Sequence, residues 1–250
     1  MEKEFTGRTG IFTGGASGMA LLAAQEFAKR GANVVLADYN IEAAEREAAA
    51  IRANGGEASA FQVDVRDWHQ VDACAQFAIQ KYGKIDYLMN SAGGNSSRMC
   101  ADVWNLEDIK YETLEWGINV NLRGAVYFSR AVIRSMKEHN FGVIINMSSV
   151  DGVTGSPSSV EYAASKAGLI GMTKSLALYG AKCGIRSVAI APGPVMTRPA
   201  MAKMPTPMGR AAEVIEVVDL ILYLCSDKAA YISGTVISID GARSCGGNVG

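Results

Sequence analysis

Short apolar runs alternate with amphipathic stretches along all 250 residues of the chain. Short apolar runs bounded by turn residues are typical of buried strands, whereas apolar residues repeating at helical spacing are typical of amphipathic helices. Because strands and helices alternate without a long linker, we predict one α/β domain over residues 1–250, a parallel sheet with helices on both faces. The strands are predicted at 10–13, 33–38, 58–63, 85–90, 143–147, 185–191 and 235–239.

The segments between these strands are predicted to be helical, with two exceptions. Residues 93–113 are polar and predicted to be irregular, and residues 197–209 contain three prolines and three methionines. We call residues 194–210 the lid, because its methionines could form an adaptable apolar cover over a substrate. A loosely packed loop without a role in selectivity is the alternative. The first predicted helix follows the glycine-rich turn and ends near residue 30. The others span residues 41–53, 68–81, 114–138, about 159–182 and 211–226.

Composition narrows the classes of function. The chain is 49% hydrophobic and 20% charged, with a net charge of -1, so it can bury a large core. The charge balance favours neither a nucleic-acid nor an anionic-membrane partner. The polar N-terminus and the lack of a membrane-length apolar run favour a cytoplasmic protein. Five widely spaced cysteines suggest reduced thiols, and two histidines argue against a histidine metal site or a Ser-His-Asp hydrolase.

The first candidate for chemistry is the pair Tyr162 and Lys166, which lie four residues apart and therefore on one helix face. An ammonium roughly 4 Å away is predicted to lower the pKa of the phenol by about two to three units, toward the range of a general acid/base. Residues 158–161 resemble a capping box, which would put Tyr162 in the first turns of its helix. Ser149 ends the preceding strand and can converge with Tyr162 on one substrate oxygen. Taken alone, the pair could equally be a packing tyrosine and a solvated lysine.

The second candidate is the glycine-rich turn at residues 13–20, between the first strand and the first helix. Glycines allow a pyrophosphate to approach the backbone, and the helix N-terminus favours its negative charge. Asp38 lies 20 residues beyond Gly18, at the end of the second strand. A carboxylate there can bind the ribose hydroxyls of NAD and repel a 2′-phosphate, so we predict NAD(H) as the cofactor. An ordinary strand–helix turn is the alternative. Candidate residues in the turn are Gly14, Ser17, Gly18 and Met19.

Further strand ends reach the same edge of the predicted sheet. Asp64 and Val65 follow the third strand and could flank an adenine, although Asp64 could also be a solvated acid. Asn90 and Ala92 close the fourth strand, where small residues leave room for a cofactor or simply form a loop.

Together these residues resemble the short-chain dehydrogenase/reductase family, and the similarity covers essentially the whole chain. The turn matches the family's cofactor motif, with Ala20 in place of its last glycine. Residues 90–93 are similar to its Asn-Asn-Ala-Gly segment, with Ser91 as the departure, and Ala242 departs from its Asp-Gly-Gly. The resemblance implies a doubly wound Rossmann fold of seven parallel strands. It implies that Asn121, Ser149, Tyr162 and Lys166 are catalytic and that Pro192, Gly193, Val195 and Thr197 bind the nicotinamide end, with Tyr162 and Lys166 also contacting the cofactor.

The expected activity is NAD(H)-dependent interconversion of a secondary alcohol and a ketone by direct hydride transfer. Tyr162 would exchange the proton, Lys166 would lower its pKa and bind the nicotinamide ribose, and Ser149 would orient the substrate oxygen. Asn121 would hold a water molecule that connects Lys166 to solvent. A sugar or polyol is as well supported as a steroid or cyclic alcohol. A 3-oxoacyl thioester reductase and a non-catalytic NAD-binding sensor are the alternatives, and the family implies a homotetramer.

Overall fold

Seven parallel strands form one sheet in the computed structural model, which describes residues 3–204 and 206–246. The spatial order is β3-β2-β1-β4-β5-β6-β7, so the doubly wound Rossmann prediction is confirmed. The central strands are buried on both faces, which explains their continuous apolar runs. The strands are β1 (Thr9–Thr13), β2 (Asn33–Asp38), β3 (Glu57–Gln62), β4 (Tyr87–Asn90), β5 (Gly142–Met147), β6 (Ile185–Pro192) and β7 (Val236–Ile239).

Helices cover both faces of this sheet. The main helices are α1 (Gly18–Lys29), α2 (Ile41–Ala53), α3 (Trp68–Tyr82), α4 (Ser96–Met99), α5 (Tyr111–Ile118), α6 (Gly124–Glu138), α7 (Val150–Thr154), α8 (Val160–Gly180) and α9 (Val214–Cys225). On one face α1, α2 and α9 enclose an apolar cluster in which Phe5, Phe12, Phe27 and Tyr87 pack ring against ring. On the other face α3 and α6 bury Val71, Phe128 and Met136. These two layers fix the sheet edge where the candidate residues lie.

The strand order reverses direction between β1 and β4, because the chain first builds β1 to β3 outward and then returns to the middle. In open parallel sheets the crevice at such a switch point, beyond the carboxyl ends of the strands, is where ligands bind. The candidate residues of the sequence analysis lie at the last position of a strand, on the segment that follows it or on the next helical segment of the chain. The fold therefore gathers them at one edge.

Two helical segments differ from the sequence predictions. Residues 93–113 contain the short helix α4, so the prediction of an irregular segment was wrong there. The single helix predicted at 114–138 begins earlier, as α5, and is divided by a π-helical turn at Asn119–Arg123. A π turn widens the helix by one residue per turn and is frequent at functional sites. Asn121 lies inside this turn.

The capping box predicted at 158–161 is also wrong. Helix α8 begins after Ser159 without a side-chain cap. The Ser159 hydroxyl instead accepts a hydrogen bond from Asn95 Nδ2 at 2.6 Å, and Glu161 accepts one from the Ser96 hydroxyl. Both polar side chains are thus used to fasten α4 to the start of α8. The prediction that Tyr162 lies in the first turn of its helix is nevertheless correct.

Three further observations concern the described part of the chain. None of its helices is both long enough and apolar enough to cross a membrane. No group of three or more histidine, cysteine or acidic side chains is placed to hold a metal ion. All five cysteines are free thiols, and two of them, Cys74 and Cys225, are buried.

Candidate active site

Tyr162, Ser149 and Lys166 meet above the carboxyl end of β5. The Ser149 hydroxyl lies beside the Tyr162 phenol and lowers the pKa of the phenol. Lys166 is 5% exposed and its Nζ lies 5.5 Å from the centroid of the Tyr162 ring. The ammonium donates a hydrogen bond of 2.7 Å to the main-chain oxygen of Met147, the last residue of β5. The three side chains that the sequence selected are therefore brought together.

The predicted lowering of the tyrosine pKa is not observed. Burial raises the pKa of Tyr162 to about 12, and the Ser149 hydroxyl only partly opposes this. Burial also lowers the pKa of Lys166 to about 8. The physical reason is that both groups leave water, while the lysine proton is directed at Met147 rather than at the phenol. The cationic side chains that lower the pKa of Tyr162 are Arg98 and Arg198.

The strand end that carries Ser149 is held firmly. The Ser148 hydroxyl donates a hydrogen bond to the Lys166 carbonyl oxygen at 2.7 Å. Ser149 accepts a hydrogen bond from the Asp151 N–H at 3.1 Å and so caps α7. A Cβ at Gly152 would lie 2.6 Å from the Lys166 carbonyl carbon, so only glycine lets α7 approach α8 this closely.

Asn121 projects from the π-helical turn toward the segment after β4. Its Oδ1 accepts a hydrogen bond from the Gly94 N–H at 2.8 Å, and its Nδ2 donates to the Gly94 carbonyl oxygen at 3.0 Å. A Cβ at Gly93 would lie 2.2 Å from Asn121 Oδ1, which explains the glycine there. This amide therefore fixes the entry into α4. Its predicted contact with a water molecule beside Lys166 stays a prediction.

The glycine turn is a backbone cradle at the start of α1. Gly14 and Gly18 have φ values of 67° and 59°, in the left-handed region that favours glycine. A Cβ at Gly15 would lie 2.7 Å from the Phe12 carbonyl oxygen. Ser17 is the N-cap of α1 but its side chain makes no capping bond, and Met19 lies in the first turn. The N–H groups of Gly14 and Gly15 donate to the Ala37 carbonyl oxygen, whereas those of the first turn of α1 have no acceptor within the helix and are available to an anion.

Asp38 stands beside this cradle at the end of β2. Its Oδ2 accepts a hydrogen bond from the Ala16 N–H at 3.0 Å, and its Oδ1 accepts one from the Asn40 N–H at 2.9 Å. These bonds hold the carboxylate in place, and each oxygen retains a lone pair for a ribose hydroxyl. The predicted position of a ribose-binding acid therefore fits the geometry.

Asp64 and Val65 lie farther along the same edge. The Asp64 carboxylate forms an ion pair with Arg66, whose Nη2 is 2.6 Å from Oδ2, and this pairing lowers the pKa of Asp64. Arg66 also lies near Tyr39, but Asp64 neutralises its charge. The Val65 side chain packs against Gly124. A Cβ on Gly124 would lie 2.8 Å from the Val65 Cβ, so this close contact depends on the glycine. The adenine-flanking role of Asp64 and Val65 stays a prediction.

Asn90 carries a buried polar atom that could bind a ligand. Its Nδ2 donates to Asn146 Oδ1 at 2.8 Å, whereas its buried Oδ1 has no hydrogen-bond partner among residues 3–204 and 206–246. Such orphan atoms are rare in proteins and require a partner from solvent or ligand. Asn90 also lines a small cavity beneath the switch point, together with Thr13, Val65, Ala92, Val120, Asn121, Gly124, Ala125 and Phe128.

The segment after β6 closes the far side of the crevice. The Gly193 N–H donates to the Ile239 carbonyl oxygen at 3.0 Å, and a Cβ at Gly193 would lie 2.8 Å from the Asp240 Cα. Val195 is 4% exposed and forms an isolated parallel bridge with Ala212. The predicted nicotinamide segment, Pro192 to Thr197, thus ends at the neck of the lid, and the Thr197 methyl group lies near Gly18.

These features together fit a dinucleotide. The left-handed glycines, the anchored Asp38 carboxylate and the orphan oxygen of Asn90 lie along one continuous edge that ends at Tyr162. The edge offers backbone N–H groups for phosphates, a carboxylate for ribose and small residues for ring planes.

Comparison with known proteins decides the family. The family profile described as "Enoyl-(Acyl carrier protein) reductase" matches residues 14–242. The chain is 36% identical over 248 residues to the 3-oxoacyl-[acyl-carrier-protein] reductase FabG of Thermotoga maritima, covering 94% of this chain and 97% of the relative. The chain belongs to the short-chain dehydrogenase/reductase family. As members of this family use NAD(P)(H), the fitted site is a nicotinamide-dinucleotide site.

Other relatives support the same family assignment. Oxidoreductase UcpA of Salmonella typhimurium is 35% identical over 260 residues, which cover 96% of this chain and 96% of UcpA. The crystal structure of levodione reductase superimposes with a TM-score of 0.89 at 30% identity, covering 97% of this chain and 100% of that one. The structure of gox2181 reaches 0.90 at 27% identity, with 98% of each chain covered. The protein is therefore an oxidoreductase.

Two residues of this short-chain dehydrogenase/reductase site were missed as functional candidates. Arg98 on α4 and Arg198 in the lid both influence the Tyr162 phenol, although they are 100 residues apart in the sequence. The sequence gives only a weak signal, namely that Arg98 lies in the polar segment 93–113 and Arg198 in the lid. Their convergence on one point depends on the way α4 is fastened to α8.

Proposed function

We propose that this oxidoreductase interconverts a secondary alcohol and a ketone with NAD(H), and that Tyr162 is its general acid/base. The observation that carries the proposal is the convergence of the Ser149 hydroxyl and the Tyr162 phenol above β5, with Lys166 fixed behind them. Two hydroxyl groups that face one point can share a single substrate oxygen. A sugar or polyol and a steroid or cyclic alcohol are the substrate classes considered.

Each residue has a separate task in this scheme. Ser149 donates a hydrogen bond to the substrate oxygen and stabilises the charge that develops on it. Tyr162 gives its proton to that oxygen during ketone reduction and removes it during oxidation. Lys166 supplies a positive charge beneath the phenol, and Asn121 supports the loop that faces them. Bound NAD(H) would supply the hydride acceptor or donor.

The cofactor would be held along the whole carboxyl edge. Asp38 supports NAD over NADP, since its fixed carboxylate would face the 2′ position of the adenine ribose. The residues proposed to bind the cofactor are Gly14, Ser17, Gly18, Met19, Asp38, Asp64, Val65, Asn90, Ala92, Tyr162, Lys166, Pro192, Gly193, Val195 and Thr197.

Cofactor preference should follow the charge of Asp38. A unit charge roughly 5 Å from a carboxylate costs about 3 kcal/mol at an effective dielectric of about 20, so we expect kcat/KM for NAD to exceed that for NADP by about 100-fold. Asp38→Asn should reduce this ratio to below about tenfold, chiefly by improving turnover with NADP. The measurement is kcat/KM for both cofactors at one fixed alcohol concentration.

Glu42→Gln is the matched control for Asp38→Asn. It removes one negative charge from the first turn of α2, close to Asp38 in sequence, on an exposed side chain. The control should keep the wild-type ratio. Equal turnover of the wild-type protein with NAD and NADP would refute the cofactor assignment.

The activity itself is tested with a panel of secondary alcohols. Polyols, cyclic alcohols and sterols are offered with NAD, and the absorbance of the reduced cofactor is followed. Turnover of any member supports the proposal. NAD binding without turnover of any alcohol, or of any matching ketone with the reduced cofactor, would favour the alternative of a non-catalytic NAD-binding sensor.

A second candidate activity is the reduction of a 3-oxoacyl thioester. It is favoured by the 36% identity to FabG, whose name describes that reaction. Asp38 opposes it, because biosynthetic reductases usually draw on NADPH. Adding a 3-oxoacyl thioester to the ketone arm of the panel, with both reduced cofactors, separates the two activities.

The proposal also includes a homotetramer in the cytoplasm. Exposed apolar side chains on two neighbouring helices support subunit contacts: Leu178 and Tyr179 on α8 are 83% and 62% exposed, and Val126 on α6 is 45% exposed. The five free cysteines fit a reducing compartment. Sedimentation of the purified protein tests the assembly, and a monomeric mass would contradict it.

A further inference from the structure

Two arginines from separate segments approach the Tyr162 phenol. Arg98 lies on α4, where a Cβ on Gly94 would meet its Nη2 at 2.8 Å, so its guanidinium lies against the Gly94 backbone that binds Asn121. Arg198 follows Thr197 at the neck of the lid, beside the start of α1. The charges of both arginines act on Tyr162. The pocket mouth therefore has a cation on each of two walls.

The position of Arg98 is fixed by contacts at the base of α4. The hydrogen bonds from Asn95 to Ser159 and from Ser96 to Glu161 tie this helix to the first turn of α8. Asn95 Oδ1 also accepts from the Arg98 N–H at 3.0 Å and caps the helix. Because Tyr162 directly follows Glu161, the same contacts that anchor α4 set the distance between Arg98 and the phenol.

In residues 3–204 and 206–246, neither guanidinium is neutralised by an acid. The guanidinium groups of Arg98 and Arg198 form no ion pair and no hydrogen bond there, whereas Arg66 and Arg210 pair with Asp64 and Glu216. Burial lowers the pKa of Arg98, and the charge of Arg198 lowers it further, as expected for two cations that lie near each other. Two neighbouring unpaired arginines are an arrangement that an anion stabilises.

The nearby acids do not cancel this charge. Asp151 brings one negative charge near Tyr162, against the positive charges of Arg98 and Arg198. Glu161 is buried and directed at Ser96, on the α4 side. The mouth of the pocket thus keeps a net positive charge.

We propose that the substrate is a short hydroxy acid, or the matching keto acid, whose carboxylate binds Arg98 and Arg198. This rests on the proposed function and adds its substrate class. The carboxylate would lie within a few carbon atoms of the reacting carbon, since both cations are near enough to act on the phenol. Planar guanidinium groups suit a carboxylate because they offer two parallel N–H donors. Neutral sterols and simple polyols would leave both charges unpaired.

The test compares 3-hydroxybutyrate with its methyl ester, which differ in the negative charge. With saturating NAD, the wild-type protein should show a kcat/KM for the acid at least tenfold above that for the ester. Arg98→Gln and Arg198→Gln should each lower kcat/KM for the acid about tenfold or more. The kcat/KM for the ester should change less than threefold in both variants. Arg46→Gln, an exposed arginine of α2, is the control and should change neither value.

A binding measurement separates this inference from the proposed chemistry. The acid, at equal concentration, should raise the Tm of the NAD-bound protein more than the ester does, and Arg98→Gln should remove the difference. This shift without turnover of any alcohol would support the carboxylate site and overturn the proposed reaction. Turnover of neutral alcohols with no preference for the acid would overturn the inference alone.

A third outcome concerns Arg198, which also lies near the cofactor cradle. If Arg198→Gln raises KM for NAD and leaves the ratio of acid to ester unchanged, Arg198 serves the cofactor phosphates and its assignment to the substrate is wrong. If Arg98→Gln lowers kcat/KM for the acid and for the ester by the same factor, the assignment of a carboxylate site is wrong for both arginines.

Discussion

Replacing Tyr162 with phenylalanine is expected to lower kcat by at least about 1000-fold, because general acid/base catalysis contributes roughly 10²–10⁴-fold and the substrate oxygen also loses a hydrogen-bond partner. The substitution removes only the hydroxyl that lies beside Ser149. The ring and its contact with Lys166 remain, so the fold and the affinity for NAD should be unchanged. Steady-state kinetics, far-ultraviolet circular dichroism and a fluorescence titration with NADH test the three parts.

Tyr179→Phe is the matched control, since this tyrosine lies on the same helix and is 62% exposed. Its kcat should stay within about twofold of the wild-type value. A Tyr162→Phe protein that keeps more than a tenth of the wild-type kcat would show that the phenol is not the proton donor. Burial raises the pKa of Tyr162 to about 12, so wild-type oxidation should also accelerate as the pH rises from about 7 to about 9.

Much of the fold could be predicted because its signals are local. β2 and α2 have the predicted bounds, since an apolar run ending in Asp38 and a periodic segment stopped by Asn54 and Gly55 both mark their own ends. The doubly wound strand order, and with it the switch point, was predicted from the family resemblance. The gathering of Asp38, Asn90 and Tyr162 on one edge was predictable because parallel strands end on the same side.

The features that were missed depend on contacts between distant segments. Glu161 reads as part of a capping box, yet it accepts a hydrogen bond from Ser96, 65 residues away. The π-helical turn around Asn121 has no local sequence signal, because the bonds between Asn121 and Gly94 join separate segments. Local spacing cannot reveal such partners.

The tyrosine pKa illustrates the limit of reasoning from spacing. Four-residue spacing correctly places Tyr162 and Lys166 on one face of α8, but it says nothing about burial or about other acceptors. In the structure the Met147 carbonyl oxygen accepts the hydrogen bond of the lysine ammonium, and burial raises the pKa of the phenol. In ketone reduction this is no obstacle, because a phenol that stays protonated at neutral pH is the form that donates.

The burial of Lys166 should make stability depend on pH. Its pKa falls from 10.5 to about 8 on folding, so between these values the unfolded chain binds more protons and stability rises with pH. Below about pH 8 the amine is protonated in both states and the full destabilisation is present. Relative to Lys166→Met, the wild-type free energy of unfolding should increase by up to about 3 kcal/mol from pH 7 to pH 10.5. Urea unfolding of both proteins without cofactor measures this difference.

The difference between the two proteins matters more than either curve, because other groups also titrate over this pH range and cancel in the comparison. Lys174→Met is the matched control, since Lys174 lies exposed on the same helix. The difference in the free energy of unfolding between the wild type and Lys174→Met should not change with pH. The offset caused by the unpaired Met147 oxygen in Lys166→Met is independent of pH and does not enter the slope. A flat difference for Lys166→Met as well would mean that the amine keeps its ordinary pKa, and that the lysine is hydrated in solution instead of being fixed beneath the phenol.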